Sequence, residues 1–206
     1  MAKTKRVKAG PLDDRLRVIA ERGSAAEVEA CIREGARVAA VSDAGYTALH
    51  AAASQGNVPT IEALIRAGAP LEAALDNALT TPLGCAVGAG HLAAVVALLA
   101  AGARHDVLYG RARETALHSA VRRGRADIAR ALLAAGATAL PSKAGMTPLA
   151  AAVMAGDEEA NVETVRVLVA AGMDPSATSA ASGASAVALA KQLGRTNILA
   201  VLEAKK

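Results

Sequence analysis

The side chains best suited to chemistry in this 206-residue chain are His50, His91, His105 and His118, with the two cysteines Cys31 and Cys85. A histidine beside a thiol or hydroxyl could activate a nucleophile, and histidines with cysteines could hold zinc. The spacing supports neither chemistry. The cysteines stand far apart without a CxxC pair, and the sequence has no HExxH, no GxSxG, no phosphate loop and no paired-carboxylate signature. No catalytic residue, metal or cofactor is therefore expected, and the chain reads as a non-enzyme.

Composition narrows the partners. Hydrophobic residues make up 53% of the chain, yet Phe and Trp are absent and Tyr46 and Tyr109 are the only aromatics, so the core must be built from Ala, Leu, Val and Ile. The formal charge of +4 is matched by Lys3, Lys5, Arg6 and Lys8 alone, which leaves the rest of the chain near neutrality. A nucleic-acid partner is thus a weak reading, and residues 1–11 are expected to form a disordered basic leader. Neither a secretory leader nor a run of ~20 apolar residues is apparent, so no membrane association is expected. With two unpaired cysteines, the expected location is the reducing cytoplasm.

The elements that position these residues repeat. A Thr or Ser opens matching segments at Thr47 (TALHAAASQG), Thr81 (TPLGCAVGAG), Thr115 (TALHSAVRRG), Thr147 (TPLAAAVMAG) and Ser185 (SAVALAKQLG). Each is followed by a second apolar stretch such as VPTIEALIRAGA or HLAAVVALLAAGA. The opening hydroxyl can cap a helix, Pro82 and Pro148 fit the first helical position, and Gly56, Gly90, Gly124, Gly156 and Gly194 are expected to end the first helices in the left-handed conformation. Second helices carry apolar residues at helical spacing, as in Ile61, Leu64 and Ile65 or Ile128, Leu132 and Leu133. Between Gly156 and Gly172 four extra residues enter, around Asp157 to Asn161, and lengthen either the link or the start of the second helix.

The period and the TPLH-like segments resemble the ankyrin repeat family, over residues 12–206. The resemblance implies an all-α solenoid of stacked antiparallel helix pairs with projecting hairpin fingers and one continuous interior. About six repeats are expected, at 12–40, 41–73, 74–107, 108–140, 141–177 and 178–206, the first and last being degenerate caps. His50 and His118 take the motif's His position and His91 a frequent Gly-His position, so structural hydrogen bonding is expected of all three. Cys31 aligns with core leucines, whereas Cys85 lies on a first helix near the inner surface. Arg113 stands where the family prefers Gly.

Members of this family usually bind proteins on the concave face made by finger tips and first helices. The positions expected there are Tyr46, Gln55, Tyr109, Arg111, Arg122, Arg123, Met146 and Met154. Tyrosine and methionine resemble binding anchors, although each Tyr could instead pack over its neighbouring finger and hold it. The arginines suit an acidic protein surface, against the alternative of an ordinary solvated basic face. The expectation is a monomeric protein-binding module without a small-molecule substrate. Its Ala and Arg richness suggests a bacterial source, and similar bacterial proteins include toxin-immunity and enzyme-regulating partners.

Overall fold

The computed structural model describes residues 9–73, 81–108, 110 and 113–204. Tyr109, Arg111 and the basic residues Lys3, Lys5, Arg6 and Lys8 lie outside the described residues. The chain forms two compact units, Met1–Arg104 and His105–Lys206. The first contains α1 (Pro11–Arg22), α2 (Ala25–Arg33), α3 (Ala48–Gln55), α4 (Val58–Arg66), α5 (Pro82–Ala89) and α6 (Leu92–Ala100). The second contains α7 (Ala116–Arg122), α8 (Ala126–Ala134), α9 (Pro148–Met154), α10 (Glu158–Ala170), α11 (Ala186–Gln192) and α12 (Thr196–Glu203).

Each unit has two helical layers. In the first, α1, α3 and α5 pack side by side while α2, α4 and α6 form the second layer; α7, α9 and α11 lie against α8, α10 and α12 in the same way. Leu49, Leu83, Leu117 and Leu149 bury the first helices, and Ile61, Leu64, Val95, Leu98, Ile128, Leu132, Val165, Leu168 and Ile198 bury the second. The third apolar position, at Ile65, Leu99, Leu133, Val169 or Val201, is only half-buried and marks the edge of the stripe. A buried Leu or Ile contributes roughly 1.5–3 kcal/mol, against about 1 kcal/mol for a helix cap. Packing therefore holds the layers together, and the caps decide where each helix starts.

Those caps follow the sequence. The hydroxyls of Thr81, Thr147 and Ser185 accept from the backbone N–H groups of Gly84, Ala150 and Ala188, each at 3.2 Å. Gly56, Gly90, Gly124 and Gly194 are left-handed. Gly156 departs from the expectation: α9 ends at Ala155 in extended backbone, with φ −64° and ψ 147°. The exposed carbonyls are taken up by the next copy, because Arg195 donates from Nη2 to Ala155 O at 2.9 Å and from Nη1 to Gly156 O at 3.2 Å.

The four extra residues lengthen the second helix. α10 has 13 residues where α4, α6 and α8 have 9, and Asp157 caps it by accepting from Ala160 N at 3.1 Å. Glu158 on the added turn then accepts from Asn197 N at 2.8 Å and Ile198 N at 3.3 Å, capping α12. Carboxylates suit both positions because backbone donors and the helix dipole converge there.

Residues 9 to 11, placed with the leader from sequence, join the folded part. Ala9 N–H donates to Val41 O at 3.1 Å, and Pro11 opens α1. Nearby, the buried Asp13 carboxylate accepts from Gly10 N at 2.8 Å, Arg37 N at 2.7 Å and Arg37 Nη2 at 2.6 Å, tying the start of α1 to the chain leaving α2.

The fingers form tight turns. Ser42 N–H donates to Tyr46 O at 3.0 Å and Ser142 N–H to Met146 O at 2.9 Å, while each serine Oγ accepts from the same partner's N–H. Two residues before Thr47, Thr115, Thr147 and Ser185 the backbone turns left-handed, at Gly45, at Arg113 with φ 50°, at Gly145 and at Gly183. Thr178 and Ser185 form an isolated antiparallel bridge, and no longer strand occurs among the described residues.

Candidate partner-binding site

In the second unit, α7 carries Leu117, Ala120 and Val121 into the core and ends with Arg122 exposed. Glu114, just before the capping Thr115, has its side chain only 14% exposed and lies under that arginine. Nη1 of Arg122 donates to both Glu114 oxygens, at 3.0 and 3.2 Å. The neighbouring copy supplies Met146 at the base of its finger, half-buried, and Met154 at the end of α9, 48% exposed. These four side chains and Ala151 line an open groove of about 370 Å³.

The groove gathers three of the eight residues expected from sequence: Arg122, Met146 and Met154. Arg123 caps the end of α7 and is exposed, but it does not line the groove. Gln55 is exposed at the end of α3 in the other unit. Tyr46, also in that unit, is engaged by its own copy: its ring stacks on His50 at 5.2 Å between centroids and its hydroxyl donates to Ser54 Oγ at 3.2 Å. Tyr109 and Arg111 are outside the described residues. Glu114 is the member whose role spacing did not reveal, since the eight-residue separation from Arg122 crosses a change from finger to helix.

Behind the groove, His118 fixes the Met146 finger. Its Nδ1 accepts from Thr115 N at 3.3 Å, so the ring proton sits on Nε2 and is donated to Met146 O at 2.9 Å. Burial lowers the imidazole below its ordinary value of 6.5, outweighing the opposing pull of the Met146 carbonyl and Glu114. His91 does comparable work in the first unit, where Nε2 lies 3.1 Å from Ser54 O and its ring packs against Gly56.

Much of the remaining basic charge is already paired. Arg125 pairs with Asp127 at 2.9 Å and Arg130 with Glu163 at 3.1 Å. A larger opening of about 760 Å³ lies between α10 and α12, beside Val162, Val169 and Val201. Smaller versions recur between α8 and α10 and between α2 and α4, which identifies it as the ordinary seam between second helices.

The cysteines have no activated character. Burial pushes the Cys85 thiol up to about 11, keeping it protonated at neutral pH, and also raises that of Cys31. Among the described residues no three His, Cys, Asp or Glu side chains are grouped to hold a metal ion. None of their helices is long and apolar enough to cross a membrane.

Comparison with known proteins gives the same architecture. An ankyrin repeat profile spanning three copies matches residues 16–109 and again 95–179. The structure is similar to an ankyrin repeat domain from Acinetobacter baumannii, with a TM-score of 0.82, 26% sequence identity, and coverage of 91% of this chain and 95% of that one. Matched along most of its length, the chain belongs to the ankyrin repeat family, whose members are generally protein–protein interaction modules.

Proposed function

We propose that this protein is a non-enzymatic binding module that holds a protein with an acidic surface against the finger and first-helix side of its second unit. The observation that carries the reading is the meeting of Arg122, Met146 and Met154 around one open groove, with Arg123 exposed next to it. Methionines adapt to an incoming apolar surface, and an arginine fork matches a carboxylate. A site held by capped helices loses little freedom on binding. The role fits an immunity or regulatory partner acting in the cytoplasm as a monomer.

The test compares capture from cells that produce the protein. The Arg122→Glu, Arg123→Glu double variant should lose the captured partner while staying folded, with a lowered melting temperature from the like charge placed beside Glu114. An Arg130→Glu, Arg166→Glu control on the second helices should retain it. Equal capture by all three proteins would refute this placement.

A further inference from the structure

We infer that the groove of the second unit receives a protein segment in which an apolar side chain stands beside a carboxylate. The apolar group sits between Met146 and Met154, and the carboxylate docks on the Nε–Nη2 edge of Arg122. This rests on the reading that the finger and first-helix side binds protein, and it adds the chemistry of the bound segment.

The guanidinium carries the argument. Of its three nitrogens, Nη1 alone contacts Glu114, at 3.0 and 3.2 Å, and Nε and Nη2 have no acceptor among the described residues. That leaves open the edge whose two parallel N–H groups match a carboxylate. Glu114 thus acts as a positioning residue: it holds the arginine in place, so that less side-chain freedom remains to be lost on binding.

The rest of the lining is uncharged. Met146, Ala151 and Met154 provide apolar surface, with Met154 48% exposed, and Glu114 is the single carboxylate in the wall. Arg113 and Arg123 are exposed and directly adjoin the lining residues Glu114 and Arg122 in the chain, and exposed Lys143 bonds through its N–H to Arg113 O at 3.1 Å. The carboxylates that could answer a basic segment are already engaged, Glu114 by Arg122 and Asp157, next to the lining Gly156, by Ala160 N–H. A purely apolar segment would leave the open arginine edge without an acceptor.

Glu114 also supplies a discriminating sign. Glutamine at this position keeps an oxygen for Nη1 but removes the negative charge that repels an incoming carboxylate. Opposing effects are therefore expected from the two partners of one ion pair: loss of Arg122 weakens binding, and neutralising Glu114 strengthens it.

The experiment pans phage-displayed random dodecapeptides on the immobilised full chain, then measures the most enriched synthetic peptide by fluorescence anisotropy. Enriched sequences should place Asp or Glu within two positions of Leu, Ile, Met or Phe. Binding should fall at least about tenfold in Arg122→Gln and several-fold in Met154→Ser, and rise about threefold in Glu114→Gln, with all variants melting like the parent. Absence of enrichment, an acid-free or basic consensus, or weaker binding in Glu114→Gln would overturn the inference. If an acid-free peptide still loses binding in the Arg122→Glu, Arg123→Glu variant, the broader protein-binding reading survives and only the segment chemistry is wrong.

Discussion

Nε2 of His118 lies 2.9 Å from the carbonyl oxygen of Met146, so the imidazole on one first helix holds the finger of the following copy. The ring itself is held neutral by its other bond, because Nδ1 must keep a lone pair for Thr115 N–H at 3.3 Å, whereas Nε2–H can donate to Met146 in either state. The folded-state value is depressed, chiefly by burial, below the ordinary 6.5. The stabilisation is therefore fully present above about pH 6.5 and declines as the pH falls below it. An NMR titration should place the His118 imidazole below 6.5, and His118→Ala should cost about 1–3 kcal/mol by orphaning the Met146 carbonyl. A normal titration would remove this account of how the finger is held.

Asp13 gives the first unit its own acid sensitivity. Burial raises the carboxyl, but hydrogen bonds from the Arg37 side chain, Gly10 N–H and Arg37 N–H, with the Arg37 charge, bring it down to about 2 from 3.8. Its contribution is complete above about pH 4 and lost as the pH falls through about 2, which corresponds to roughly 2 kcal/mol. Asp13→Asn should lower stability by that order at pH 7 and show a flatter acid-unfolding profile below pH 4. Equal losses at pH 7 and pH 2 would contradict the linkage.

The left-handed finger positions should respond oppositely to substitution. Arg113 carries a side chain at φ 50°, so Arg113→Gly should stabilise the second unit by about 0.5–1 kcal/mol after the entropy of glycine is counted. Gly145 has φ 81°, and a Cβ there would stand 2.6 Å from Ala180 Cβ. Gly145→Ala should therefore cost more than about 2 kcal/mol. Thermal melts of the two variants should move in opposite directions.

Glu158 and Arg195 join the last two helix pairs at one place, where the turn from α9 to α10 meets the start of α12. Glu158→Ala removes the acceptor for Asn197 N and Ile198 N, and should cost about 1 kcal/mol while speeding amide exchange in α12. Arg195→Ala should loosen the end of α9, where Ala155 O and Gly156 O lose their donors. If exchange in α9 and α12 stays at parent rates, the added turn of α10 has no capping role.

Helix existence was legible because local rules suffice: Thr81 and Thr147 cap, Pro82 and Pro148 start helices, and Ile61 or Leu132 recur at helical spacing. Gly156 misled because its helix is closed by Arg195, 39 residues away, and a distant donor leaves no mark on local spacing. The groove was half legible: position in the repeat brought Arg122, Met146 and Met154 to one side. Their pairing state was not, because a carboxylate such as Glu114 meets its arginine only after finger and helix have folded together. Ser42 and Ser142, each five residues before the capping Thr, were a readable signal for the finger turns.

The most direct measurement of the central claim is hydrogen–deuterium exchange of the second unit within the full chain, with and without the captured partner. Protection should appear at residues 113–123 and 143–156, around Glu114, Arg122, Met146 and Met154, and leave α8, α10 and α12 unchanged. Protection confined to those second helices, with the groove exchanging as in the free protein, would contradict it.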